Sequence, residues 1–445
     1  VFGSAMAQTP TAFSLNEAIN FATQQNINVK NTHLDALSAE ARIKELKGLA
    51  LPQVNVNGTV TYNAIIQKFI FPAGGFGAPA DSTGGGGDKD AVTAIPFGVK
   101  LQGNVAATVN QLIFDASYKI GLKAAATYRE LAQKNITASK INVAEQVAKA
   151  YYGVLVSEER IKLLDLNISR VDTLLRETRS MNGQGFVEKI DVDRLEVQLN
   201  NLKTERQNVK NLVDLSYNLL KFQMGLPINS PIQLTDKIES YSQKDLDQAA
   251  ASDAAFDYGQ RIEFSTLQTQ VTLADLDYQN IGKQYYPRLT ASGTYGHNNG
   301  RNNFTDFWTT QWFNSAAISL NLNIPVFDGF QKKYAAQQRK ITVDKARQSG
   351  ELLKNSIDLQ IKQATVTLSN NLQTLQNQKR NMDLAQEVVR VTRIKYKEGV
   401  GSNIEVLNAE TSSREAQTNY FAALLDYMIT KVDLDKALGK LYTGQ

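Results

Sequence analysis

The chain has 445 residues, no cysteine, two histidines, and 48 basic against 44 acidic side chains scattered along its length. Without thiols there is no thiol catalysis, disulfide or thiolate metal site, and the mixed charges leave no basic stripe for nucleic acid. Mean hydropathy is −0.31 and no run of 18 uncharged apolar residues occurs, so no transmembrane helix is expected; a membrane β-barrel stays open, because its strands need only about 9–11 alternating residues.

Residues 1–7 end in Ala5-Met6-Ala7. This A-x-A pattern fits either the tail of a secretory signal peptide or an ordinary terminus. As a signal, it places the mature chain outside the cytoplasm, starting near Gln8.

Beyond it the chain reads as two copies of one plan. Asn26–Pro52 aligns without a gap on Arg261–Pro287 at a shift of 235, and Phe114-Asp115 matches Phe327-Asp328 at 213. Thr178-Arg179, Gly185 and Gly225 match Thr392-Arg393, Gly399 and Gly439 at 214. The first copy is therefore longer within its hairpin, at the Gly-rich stretch Phe71 to Gly98. Gly84–Lys89 within it lacks the Ser or Thr and the following helix of a phosphate loop, so a mobile extracellular loop is expected there.

The first repeat spans 8–225, with a helix over Asn26–Ala50, a β-hairpin over 53–110, a long helix over 117–180 and a further helix over 188–224. Residues 226–259 link it to the second repeat, 260–439, and 440–445 form a tail. The second repeat has a helix over Arg261–Tyr285, a hairpin over 288–324, a long helix over 331–397 and a last helix over 403–438. No proline occurs from Phe97 to Leu226 or from Val326 to Gln445, so helices of ~60 residues, spanning ~90 Å, can persist there. In the helix over 188–224, Leu195, Leu199, Leu202, Val209, Val213 and Leu220 mark an apolar stripe. Helices of about 25 and 36 residues sum to one long helix, so two short ones stacked end to end would run beside it.

Strict alternation marks four strands. Val54, Val56, Gly58, Val60 and Tyr62 oppose Gln53, Asn55, Asn57, Thr59 and Thr61; Val99, Leu101, Gly103, Val105, Ala107 and Val109 oppose Lys100, Gln102, Asn104, Thr108 and Asn110. Leu289, Ala291, Gly293 and Tyr295 oppose Arg288, Thr290, Ser292 and Thr294; Ala316, Ile318, Leu320, Leu322 and Ile324 oppose Ser315, Ser319, Asn321 and Asn323. An Asn/Thr/Gln face with few charges suits a water-filled lumen. The loop Gly296–Phe313 holds Trp308 and Trp312, which either join an interfacial girdle or pack on their own loop. Four strands cannot close a barrel, and an open edge is not viable in lipid. Several copies must close it.

Two copies of helix, strand, strand, long helix, Gly break and helix resemble the TolC-like outer membrane factor (outer membrane efflux protein) family over nearly the whole chain. The motifs that carry the resemblance are Gly185-Phe186-Val187 followed by Asp191-Val192, and Gly399-Val400-Gly401 followed by Glu405-Val406-Leu407. The resemblance implies a mixed α+β membrane protein, a homotrimer with a 12-stranded outer-membrane β-barrel and a long periplasmic α-helical coiled-coil barrel. It implies the exit duct of a tripartite efflux or type I secretion system in a Gram-negative outer membrane. Its partners would be a periplasmic adaptor (membrane fusion) protein and an inner-membrane transporter.

By that resemblance Gly185, Phe186, Val187, Gly399, Val400 and Gly401 are adaptor-docking tips, although glycines there also simply permit tight turns. Asp191, Tyr396, Glu405 and Asn408 fall at gate and selectivity positions. Asn408 stands where the family often has a second Asp, and Gly401 where a linking Arg can occur. Glu405 also closes the capping-box sequence Ser402-Asn403-Ile404-Glu405 and so can serve its own helix. His33 and His297 belong to no metal-spaced cluster. Neither enzyme activity nor a cofactor is expected. The competing function is a soluble periplasmic coiled-coil scaffold.

Overall fold

The computed structural model describes residues 12–72, 92–238 and 256–442. The expected signal remnant 1–7, most of the Gly-rich loop, much of the 226–259 link and the last three residues lie outside them.

Elements run in the order β1 (Ala12–Phe13), α1 (Leu15–Gln25), α2 (Ile27–Gly48), β2 (Gln53–Tyr62), β3 (Lys68–Pro72), β4 (Val92–Pro96) and β5 (Leu101–Phe114). Then come α3 (Ala116–Gly183), α4 (Lys189–Met224), β6 (Gln233–Leu234), a 3-10 turn (Tyr258–Gln260) and α5 (Ile262–Lys283). The rest are β7 (Arg288–Arg301), α6 (Phe304–Thr309), β8 (Phe313–Asn323), α7 (Gln331–Lys397) and α8 (Asn403–Ala437). The chain divides into two compact units, one of 1–40, 127–274 and 342–445, the other of 41–126 and 275–341.

In the first unit α3, α4, α7 and α8 each contribute to two apolar clusters. α3 has 68 residues and α7 has 67, each about 100 Å at 1.5 Å per residue. The predicted stripe of α4, Leu195 through Leu220, is buried throughout. It meets Leu164, Val171, Leu174 and Leu175 of α3 in one apolar cluster, which Tyr396 of α7 and Val406 of α8 complete. A second cluster gathers Tyr151 and neighbouring α3 residues, Phe13 of β1, Ile19 of α1 and Leu220 of α4. There β1 pairs in parallel with β6, and the Tyr151 hydroxyl donates to the Phe13 carbonyl (3.0 Å).

Short helices do stack end to end, once in each repeat. α4 ends on Gly225 (φ 76°), whose missing Cβ would stand 3.0 Å from Asn26 Cα between α1 and α2. Asn26 donates from Nδ2 to the Gln223 carbonyl (2.8 Å), satisfying a helix-end acceptor. α8 ends before Gly439 (φ 70°), where a Cβ would stand 2.8 Å from the Gln260 carbonyl oxygen. There Arg261, which aligns with Asn26, donates to the Ala437 carbonyl (2.8 Å) and to Gln360 (3.2 Å). α1, which leads into Asn26 behind a capping box of Ser14 and Glu17, has no counterpart among the sequence expectations.

The second unit holds a four-stranded antiparallel sheet in the order β2-β5-β7-β8. Val54, Val109, Gly293 and Ile318 share one register line, and Asn55, Thr108, Thr294 and Ala317 the next. Successive lines thus expose opposite faces, one mainly apolar and one mainly polar. Within the hairpin of the first repeat, Lys68–Pro72 and Val92–Pro96 pair as a separate two-stranded ladder; Gly84–Lys89 lies outside the described residues. Runs of β-formers at both ends, Lys68-Phe-Ile-Phe and Val92-Thr-Ala-Ile, account for the ladder.

Candidate functional site

The two interhelical turns are built alike. After α3, Gly185 takes φ +80°, with Phe186 N donating to the Met181 carbonyl (2.9 Å) and Gly185 N to Asn182 (2.9 Å). After α7, Gly399 takes φ +73°, with Val400 N donating to the Lys395 carbonyl (3.0 Å) and Gly399 N to Tyr396 (3.1 Å). Both are glycine-ended Schellman turns, and a left-handed residue makes Gly the fitting choice. Gly401 is needed for space as well, since a Cβ would meet Tyr396 N at 3.1 Å. The turns present Phe186 (74 % exposed) and Val400 (77 % exposed) at equivalent positions, with Val187 half-buried.

The helices that leave these turns are stitched together. Asn403, buried at the start of α8, donates from Nδ2 to the Asp191 carbonyl (2.9 Å) and to Asp191 Oδ1 (3.1 Å) in the first turn of α4. Arg194 Nη1 lies 3.7 Å from the same carboxylate. Glu405 is exposed, and its backbone N–H is capped by Ser402 Oγ (3.3 Å). Among the described residues its carboxylate has no recorded ion-pair partner. Asn408, one turn on, is exposed too.

Tyr396 does not stand with them. It is 7 % exposed inside the apolar cluster, its hydroxyl 3.3 Å from Thr178 Oγ1. Its inward heptad position buries the ring, and its hydroxyl ties α7 to α3 beside the turns.

Farther along α8 lies a polar layer that sequence reading missed. Glu410 is 6 % exposed, its Oε2 3.7 Å from Arg170 Nη2 of α3, and its Oε1 has no partner. Burial pushes its carboxyl above the usual range against the pull of Arg170 and Arg393. Asn167 Nδ2 donates to Gln417 (2.7 Å) beside it. The only signal available was Glu410, Ser413 and Gln417 at inward spacing on a helix otherwise lined by Val406, Leu424 and Met428.

On the sheet, Asn104 bonds Asn298, which donates to Ser315 Oγ (3.0 Å), so a polar ladder crosses three strands. The opposite face leaves Ile318 94 % exposed, with Val54, Val56 and Leu320 also bare. β2 and β8 are edges with unpaired backbone. Of the two readings of the aromatic loop, packing is what the protomer displays. Phe307 is buried on Gly103, and Trp312 lies against it (ring centroids 5.4 Å apart), whereas Trp308 stays exposed.

A sheet that bares an apolar face and both edges, joined in sequence to helical hairpins twice over, matches one known architecture. Residues 258–440 match the family model described as outer membrane efflux protein. The chain is 21 % identical to the outer membrane protein TolC of Vibrio cholerae over 335 residues, covering 75 % of each chain. The chain is thus similar to outer membrane efflux proteins, by the family model over 258–440 and by identity over three quarters of its length. It is also 22 % identical to nodulation protein T of Rhizobium leguminosarum bv. trifolii, over 73 % of this chain and 69 % of that one. In fold it is similar to the outer membrane protein VceC of Vibrio cholerae (TM-score 0.68, 13 % identity, 96 % of each chain). The open-state MtrE outer membrane channel of Neisseria gonorrhoeae is similar too (TM-score 0.70, 15 % identity, 96 % of this chain and 88 % of that one).

Proposed function

We propose that this chain is one protomer of an outer-membrane export channel, a passive duct that carries efflux or secretion substrates out of a Gram-negative cell. It is not an enzyme. The observation that carries the reading is the sheet: one face polar, one apolar and bare, both edges unpaired, in a family of outer-membrane efflux proteins. Three copies would join β2 of one to β8 of the next into a 12-stranded barrel, with the helical hairpins forming the periplasmic wall. A soluble scaffold has no use for such a sheet. The test is fractionation: the protein should stay with outer membranes through a carbonate or urea wash and conduct ions when reconstituted, and release as a soluble monomer would end the reading.

The helical turns are the proposed periplasmic end. Gly185, Phe186, Val187, Gly399, Val400 and Gly401 would meet a periplasmic adaptor protein, itself coupled to an inner-membrane transporter. Two bare apolar side chains on matching glycine turns support this. Asp191, Glu405 and Asn408 would line the constriction. Three copies of Glu405 about one axis would attract cations and repel one another as they ionise. Conductance should lose cation selectivity in Glu405→Gln, and unchanged selectivity would remove Glu405 from the gate.

A further inference from the structure

Where the sheet gives way to helices, the second unit contains a cavity of about 390 Å³ that no step above uses. A register shift between Leu112 and Phe114 turns the end of β5 outward and leaves Ile113 and Phe114 exposed. With Ile120 these side chains make an apolar floor that Phe114 joins to the apolar face of the sheet, since it pairs with Leu289. Lys119 and Lys283 line the same cavity, and Tyr286 stands beside them with Lys283 Nζ 5.0 Å from its ring centre.

The cavity's one acid, Asp115, is already engaged. Its Oδ1 accepts from Ser117 N (2.8 Å), and its Oδ2 lies 3.6 Å from Arg288. Neither Lys119 nor Lys283 has a recorded ion-pair partner among the described residues. The surroundings repeat the same chemistry: Lys332 lies over the Tyr285 ring and Lys333 over Phe330. Lys332 also pairs with Asp328 (3.1 Å), and Arg339, further along α7, with Asp277 (3.1 Å). An apolar floor beneath a cationic, aromatic rim is complementary to an amphiphile with an anionic head.

We infer that this cavity binds an anionic glycerophospholipid of the periplasmic leaflet, its phosphate held by Lys119 and Lys283 and its acyl chains laid along Ile113 and Phe114. The inference rests on the outer-membrane reading above. Bound lipid would anchor the helix-to-strand junction at a defined depth in the leaflet.

The experiment is native mass spectrometry of the purified assembly after exposure to mixed micelles holding equal amounts of dioleoyl-phosphatidylglycerol and dioleoyl-phosphatidylcholine. The wild type should retain the glycerol lipid at least threefold over the choline lipid. The double variant Lys119→Gln/Lys283→Gln should lose that preference, Lys283→Arg should keep it, and Lys68→Gln on β3 should leave it unchanged. Equal retention of both lipids by the wild type would overturn the inference, as would an unaltered preference in the double variant. Selective retention of added lipid A over the glycerol lipid would overturn it as well. Planar-bilayer conductance of the wild type separates the two readings: a conducting channel without lipid preference defeats this inference alone.

Discussion

The two interhelical turns share a backbone and differ in chemistry. Positions 214 apart hold Phe186 and Val400, Asp191 and Glu405, Arg194 and Asn408, Asn182 and Tyr396. Each turn keeps its left-handed glycine and its pair of closing hydrogen bonds, because nothing else ends the helix so tightly. The carboxylates sit in first helical turns, where the helix dipole favours negative charge. Asp191 is bonded by Asn403 and faced by Arg194; Glu405 is bare, and Asn408 cannot offset it. Duplication preserved the fold of the turn while one copy became a structural tie and the other a free charge.

The same contrast recurs at the opposite ends of these helices, and there it can be broken hardest. Gly225→Val and Gly439→Val add a side chain where φ is positive and backbone lies within 3.0 Å. Each should lower stability by about 2–4 kcal/mol, read as a fall in the thermal midpoint of the assembly. Gly439 has the closer neighbour and should lose more; a smaller loss there would mean that the two junctions are not equivalent.

Next in size is Asn403→Ala, which releases α8 from Asp191. Loss of this partly buried, charge-assisted bond should cost about 1–2 kcal/mol. It should also raise the frequency of high-conductance openings if the tie holds the turns together. The converse substitution, Asn408→Arg, gives the second repeat the arrangement of Asp191 and Arg194. Cation selectivity should fall severalfold with stability unchanged within about 0.5 kcal/mol, and bilayer reversal potentials measure it. Full selectivity in that variant would show that Asn408 lies too far from Glu405 to matter.

The smallest effect concerns Glu410. Its folded pKa lies above its unfolded one, so the folded state holds the extra proton between the two values and stability falls as pH rises through that window. Glu410→Gln should flatten this slope and raise stability near pH 7 by about 1 kcal/mol, since a buried oxygen without a partner is removed. Melting curves at pH 5 and pH 7 test it. A steeper slope in the variant would reverse the sign assigned here.

Much of this was legible in order and spacing. Proline-free tracts, the stripe from Leu195 to Leu220 and the alternation from Gln53 to Tyr62 each follow from local periodicity, and the structure has helix, helix and strand at those places. Tyr396, a gate position by resemblance, has a heptad place that turns its ring inward, and only the structure sets its hydroxyl beside Thr178. The tie between Asn403 and Asp191, 212 residues apart, had no sequence signal at all. Nor did the acid of Glu410 opposite Arg170, for spacing tells which face a residue takes but not what faces it across a helix pair.

Periodicity, punctuation by proline and glycine, and the internal repeat were enough to establish two helical hairpins and two strand pairs, because each depends on neighbours within a few turns of chain. Which carboxylate is held and which is free, that Arg261 and Asn26 close the same junction by different chemistry, and that lysines and an apolar floor meet at the foot of β5 were decided in three dimensions. Those outcomes depend on atoms brought together from distant segments, and hydrogen bonding and charge act over ångströms of space rather than along the chain.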